Sequence, residues 1–317
     1  MSTKLIIDTD PGIDDAMAIH YAFAHKNIEV MALTTIFGNV TTKQATINSN
    51  ILVQMAGIDC GVFQGCEFPE EIKPNPPADF VHGTSGFGDL EFDNSFTTQR
   101  GVTAPELIVQ KVNEFPEEIT ICALGPLTNL SKALALDPSI AKKVKEIVIM
   151  GGAVFVPGNV TRFAEANIFN DPHAAARVLS GAWKTRLIGL DVTKQIEAGI
   201  ADFLEIKTSA PKIGDFLSKI ADFYIEFYRK EAKIDGCFLH DPATVIAITN
   251  PAFFKFRRIK LGVVLEGEMI GKTFLEEDGV GLALDVAVKV ASQDVVSEFK
   301  TVLSKSDQVR YDRISAV

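Results

Sequence analysis

This chain has no Cys-x-x-Cys pair, no zinc-type ligand spacing, no excess of lysine and arginine, and no apolar run long enough to span a bilayer. Each absence removes a class of protein. The four cysteines, Cys60, Cys66, Cys122 and Cys237, read as reduced thiols, several of them buried. With 41 acidic against 31 basic residues, the net charge is −10. A phosphate backbone needs clustered cations, so no nucleic acid is expected as a partner. A neutral small molecule suits that charge, and so does a gathering of carboxylates around a metal. The opening Met-Ser-Thr-Lys leads into a short apolar strand, without the long apolar stretch or small-residue cleavage site of a secretory signal. The expectation is a cytoplasmic enzyme with no membrane segment. No repeat, low-complexity tract or linker divides the 317 residues, which read as a single domain, 1–317.

What the chain does have is alternation. Strand-like runs at 4–7, 28–36, 119–123, 146–150 and 186–190 interleave with helical patterns at 13–25, 42–55, 127–136 and 172–179. This predicts an α/β fold, a mainly parallel central sheet flanked by helices in the Rossmann-like manner. Asp171-Pro172 reads as an N-cap followed by proline at the first helical position. Residues 202–233 are rich in helix formers and end near Asp235-Gly236. Runs at 259–265 and 283–290 add C-terminal strands before a final helical pattern. Segment 67–93, rich in proline, glycine and charge, reads as a long loop, and loops of that length are often functional.

The chemistry starts at Asp8-Thr9-Asp10-Pro11-Gly12-Ile13-Asp14-Asp15. Four carboxylates follow the first strand, at the sheet edge where open α/β folds bind ligands. Asp14 and Asp15 fall in the first helical turn, about 100° apart, so they face different partners, one a metal and the other a substrate. A single aspartate there is ordinarily a cap. Four together repel one another unless a cation or hydrogen bonds compensate. An EF-hand does not fit, because its fifth and twelfth positions would be Gly12 and Ile19. Oxygen ligands select a hard cation, Ca²⁺ or Mg²⁺, and composition does not separate the two.

This segment resembles the opening signature of the inosine-uridine nucleoside hydrolase family. Further motifs follow in matching order: Gly38-Asn39-Val40, His82-Gly83, Leu124-Gly125-Pro126-Leu127-Thr128-Asn129, Gly151-Gly152, Gly158-Asn159-Val160-Thr161, Glu165-Ala166-Asn167 and Leu239-His240-Asp241-Pro242. The match spans about residues 4–250. The resemblance implies calcium, held by Asp10, Asp15, Asp241 and the backbone carbonyl of Leu124. It implies that Asp10 activates a metal-bound water against the anomeric carbon. Asp14 would grip the ribose 2′-hydroxyl and Asn159 with Glu165 the 5′-hydroxyl, with Asn39 and Asn167 adding sugar contacts. His240 would assist the leaving base, and His82 is the second candidate. Tyr228, and with it Tyr224, precedes His240 on a helical segment and would cover the base, although tyrosines at helical spacing commonly just pack. The resemblance also implies a ribonucleoside substrate, purine or pyrimidine, and a homo-oligomer, dimer or tetramer. Two positions depart from the family pattern. Ala166 stands where relatives carry a bulky aromatic and Phe37 where they carry something small, so the choice of base stays open. His20, His25 and His173 lie away from any polar cluster and are read as surface, packing or first-turn residues.

Two other readings stand beside this one. A haloacid dehalogenase-type, Mg²⁺-dependent phosphatase also begins Asp-x-Asp after a strand. It needs Asp8 as nucleophile, Asp10 assisting, a downstream lysine and a late acidic pair such as Glu276-Glu277-Asp278. A non-catalytic ribose or nucleoside binder would show calcium-dependent stabilisation by ribosides without release of base.

Overall fold

The apolar run Leu5-Ile6-Ile7 sends alternate side chains to opposite faces of a sheet, and both faces are covered. Leu5 and Ile7 join one apolar core, and Ile6 joins the other with Ile119 and Ile121. In the computed structural model, which describes residues 2–88, 90–92, 101–276 and 282–307, this run is the heart of strand β1 (Thr3–Thr9). Strands β1, β2 (Ile28–Thr35), β3 (Gly61–Gln64), β4 (Ile119–Ala123), β5 (Glu146–Met150) and β6 (Thr185–Ile188) are parallel, in the spatial order 3-2-1-4-5-6. The order reverses between β1 and β4. A crevice opens at such a switch point beyond the strands' carboxyl ends.

The expected α/β class and the extra late strands are both present. Short strands β7 (Glu197–Gly199) and β8 (Gly236–Phe238) pair antiparallel. Beyond β9 (Phe254–Ile259), strands β10 (Leu261–Val263) and β11 (Thr273–Leu275) form a small ladder. The last strand, β12 (Leu284–Val290), enters the main sheet between β6, parallel to it, and β9, antiparallel to it, which completes eight strands.

Helix Ile13–Ala24 is buried along all its twelve residues. It packs against helices Pro211–Glu231, His240–Thr249 and Ser292–Leu303, which is why its sequence carries no polar stripe. Asp171 caps helix Pro172–Leu179 as expected: its Oδ1 accepts from the Ala174 amide at 3.0 Å, a contact worth about 1 kcal/mol.

Several boundaries differ from the sequence reading. The stretch 202–233 is two helices, Ile200–Ser209 and Pro211–Glu231, because proline opens the second. The run 259–265 divides into β9 and β10 at Lys260. Within the long loop, one helical turn, Asp79–His82, carries His82 at its end, while Asp89 and Asp93 of that loop lie outside the described residues. Helix Ala104–Glu114 and strands β3, β7, β8 and β11 had no counterpart in the sequence reading. Of the two readings given for His20 and His25, surface or packing, burial supports packing. The four cysteines are free thiols, Cys122 and Cys237 buried and the other two half-buried. No helix among the described residues is long and apolar enough to cross a membrane.

Candidate active site

The carboxyl ends of β1 and β4 meet at the switch point, where the Leu124 amide donates to the Asp8 carbonyl at 2.7 Å. Asp10 leaves β1 into a socket made by glycines. A Cβ on Gly38 would lie 2.0 Å from Asp10 Oδ2, and one on Gly125 2.4 Å from Oδ1. No larger residue fits at either place. The Asn39 amide donates to Asp10 Oδ2 at 2.6 Å, while Oδ1 is buried without a hydrogen-bond partner among the described residues.

Asp15 accepts from the Thr9 hydroxyl, from the Gly12 amide at 3.0 Å and from the Asn39 side-chain amide at 3.0 Å. Asp241 arrives from the first turn of helix His240–Thr249. Oxygens of Asp14, Asp15 and Asp241 lie within 4.8 Å of one another. Burial, and then repulsion from Asp15, pushes the Asp14 carboxyl up to about 8. Asp10 and Asp241 are raised well above the ordinary carboxylate range by burial and neighbouring carboxylates, and Asp15 is raised by burial. A positive charge beside such groups favours their ionised form. Hard oxygen donors, the unpartnered Asp10 Oδ1 and the mutual repulsion together fit a hard divalent cation. The tight trio includes Asp14, whereas the sequence reading named Asp10 beside Asp15 and Asp241.

A cavity of about 580 Å³ opens above these carboxylates. Asp14, Asn39, Leu124, Asn167 and Asp241 reach its wall, and Asp10 and Asp15 are fully buried beneath it. The Asn167 side-chain amide donates to the Leu124 carbonyl at 2.6 Å and to that of Met150 at 3.2 Å. Glu165 caps helix Ala166–Asn170, and its carboxylate accepts from the amides of Gly152, Asn167 and Ile168 at 2.9–3.1 Å. Asn159, exposed at the cavity, accepts from the Ala166 amide at 3.0 Å.

The opposite wall is aromatic. Tyr224, Phe227 and Tyr228 come from helix Pro211–Glu231 and Phe80 from the turn before His82. The Tyr228 hydroxyl lies 3.0 Å from His240 Nε2 and 3.2 Å from the Tyr224 hydroxyl, and Tyr224 in turn hydrogen-bonds Asp14. His240 Nδ1 sits 2.7 Å from the Thr193 hydroxyl. His82 Nδ1 accepts from the Ile13 amide at 3.1 Å, which leaves Nε2 to carry the ring proton. Burial holds both imidazoles near pKa 3, so both are neutral at pH 7.

Every residue that the family resemblance named thus gathers at one site. Thr193, Lys194, Phe80 and Phe227 were missed. The spacing of Tyr224, Phe227, Tyr228 and Glu231 on one helix face held the signal for part of this wall. Asp8 does not serve as a phosphatase nucleophile. Its carboxylate is fully buried, bonded to Thr34 and Asn129 at 2.6 and 2.8 Å, and does not line the cavity. Glu277 and Asp278, the late acidic pair of that reading, lie outside the described residues.

Comparison with known proteins gives the family. The family model for inosine-uridine preferring nucleoside hydrolase matches residues 5–301. Uridine nucleosidase 1 of Arabidopsis thaliana is 41% identical over 277 residues, covering 86% of this chain and 82% of the relative. The inosine-uridine preferring nucleoside hydrolase of Leishmania major is 35% identical, covering 85% and 86%. A solved plant nucleoside hydrolase superposes with a TM-score of 0.92 at 39% identity, covering 96% of this chain and 99% of that one. A purine-preferring ribonucleoside hydrolase from Gardnerella vaginalis also gives 0.92, at 31% identity over 97% of this chain and all of its own. The chain belongs to the inosine-uridine preferring nucleoside hydrolase family, glycosidases that act on ribonucleosides.

Proposed function

We propose that this enzyme hydrolyses the N-glycosidic bond of ribonucleosides to free base and ribose, with calcium as cofactor. The observation that carries the reading is the buried group Asp14, Asp15 and Asp241, with Asp10 beneath it, at the floor of a cavity whose far wall holds His240 and Tyr228. Asp10, Asp15, Asp241 and the Leu124 carbonyl would hold the ion. Bound calcium supplies positive charge that attracts the sugar hydroxyls and acidifies water.

Asp10 takes the proton from the attacking water as its oxygen joins C1′ and the C1′–N bond breaks. Positive charge grows on the sugar as this happens, and the surrounding carboxylates offset it. Asp14 holds the 2′-hydroxyl, with Asn39 and Asn167 beside it. Asn159 and Glu165 hold the 5′-hydroxyl, because carboxylate oxygens that accept backbone amides keep further acceptor capacity. The electron pair leaves with the base, which takes up a proton from water as it departs. Neutral at pH 7, His240 assists as an N–H hydrogen-bond donor to the base and not as a standing imidazolium. His82 and Tyr228 flank the base. A homo-oligomer, dimer or tetramer, working in the cytoplasm completes the proposal, and light scattering after size exclusion tests its assembly.

The main test offers purine, pyrimidine and modified ribonucleosides and scores base release with and without exhaustive chelation. Uridine comes first, because several relatives are named uridine nucleosidase. Elemental analysis is expected to find calcium, and Asp10→Ala and Asp241→Ala each to lose metal and nearly all turnover. Full activity after verified chelation would sink the calcium role. Riboside-dependent stabilisation with no base released from any substrate would favour the binding protein instead.

A further inference from the structure

Lys194 is the one lysine or arginine among the described residues lining the cavity, where four carboxylates also face inward: Asp14, Glu165, Glu231 and Asp241. It follows helix Leu190–Thr193, next to Thr193, the hydroxyl partner of His240. Its ammonium makes no ion pair with these acids. It donates instead to two backbone carbonyls, Pro157 at 3.4 Å and Gly158 at 3.3 Å. Those carbonyls open the tight loop that presents Asn159.

That loop turns on itself, with the Gly158 amide bonded to the Arg162 carbonyl at 3.3 Å and the Asn159 amide to that of Ala164 at 3.2 Å. A Cβ on Gly158 would stand 2.1 Å from the Ala164 carbonyl, so the loop has one tolerable path. Internal bonds of this kind fix the loop's shape but not its seat on the body. Lys194 joins it to the C-terminal end of a buried helix. A lysine has three N–H donors. Two are engaged on the loop, and the third remains on a side chain that reaches the cavity wall beside Asn159.

We propose that Lys194 is a positioning residue for the 5′ end of the sugar: it seats the 157–159 loop over the cavity and offers its remaining N–H to an acceptor at the ribose 5′ position. The assignment rests on the ribonucleoside reading, in which Asn159 and Glu165 meet the 5′-hydroxyl. Partial burial pulls the ammonium below its ordinary value. An amine in that position is kept protonated best by acceptors, and a 5′-oxygen adds one.

Lys194→Met keeps the stem and removes charge and donors, while Lys194→Arg keeps both. Steady-state kinetics of the calcium-loaded enzyme on uridine and on 5′-deoxyuridine test the role. On uridine, Lys194→Met is expected to lose about tenfold in kcat/KM, mostly through KM, and Lys194→Arg to recover much of it. On 5′-deoxyuridine the Met variant should stay within about twofold of the wild type, because the contact that it lost was never made. A loss equal on both substrates, or none on either, overturns the assignment while leaving the hydrolase intact. If wild-type protein releases base from no riboside, the hydrolase reading falls and this assignment with it.

Discussion

His240 holds two contacts that separate its possible roles, Tyr228 on Nε2 and Thr193 on Nδ1. If it donates to the departing base, His240→Ala should leave calcium affinity nearly intact and slow natural nucleosides by about 10²–10⁴-fold. A nitrophenyl riboside, whose leaving group needs no proton, should lose little. Equal losses on both, at saturating calcium, would mean that His240 only positions Asp241. Ribose recognition is also a residue-scale matter. Asp14 and its neighbours should make uridine a far better substrate than deoxyuridine, since each unmade buried hydrogen bond costs about 1–3 kcal/mol. Similar kcat/KM values for the pair would contradict this. At this scale the sequence was informative where residues come in fixed short motifs, such as Asp10 to Asp15 and His240-Asp241. It was silent about Thr193 and Lys194, because a lone threonine or lysine beside a short helix looks like any other until a distant loop is folded against it.

Among the elements, helix Ile13–Ala24 offers the sharpest test. His20, in its interior, is buried edge-on between Phe23 and Phe216, and burial drops its pKa from 6.5 to about 4. The unfolded chain therefore binds a proton between pH 6.5 and 4 that the folded chain refuses. Stability is complete above pH 6.5 and falls as pH drops toward 4, by about 3 kcal/mol at about 1.4 kcal/mol per unit. His20→Leu should remove this loss, so its urea midpoint should exceed wild type by more at pH 4.5 than at pH 7. A constant difference between the two pH values would show that His20 does not titrate in this range. The helix itself was legible, along with β1, β2, β4 and β5, because apolar runs and caps are local signals. Strands β7 and β8 were not, because three-residue strands exist only through a pairing such as Glu197 with Phe238 that no local pattern encodes. The break between the Ile200–Ser209 and Pro211–Glu231 helices was marked by Pro211 in plain view.

For the molecule as a whole, the buried carboxylates predict a strong dependence on metal. An ion that binds only the folded state adds RT ln(1 + [L]/Kd), about 2.7 kcal/mol at a hundredfold excess over Kd. Calcium should raise the melting temperature, chelation should lower it, and Asp241→Ala should abolish the difference. Identical melts with calcium and with chelator would count against the site. The sheet carries a different kind of consequence. Strand β12 sits between β6 and β9, so residues 284–290 are the wedge that joins β9 to the parallel strands. During synthesis, every strand from β2 to β6 can find a neighbour as soon as it emerges. β9 has none until β12, residues 284–290, has emerged, and β6 keeps an open edge from residue 188 until that same point. A nascent chain stalled before β12 would show two unpaired strand edges at once, so translation speed through this stretch, rather than final stability, should govern how much of the protein escapes aggregation.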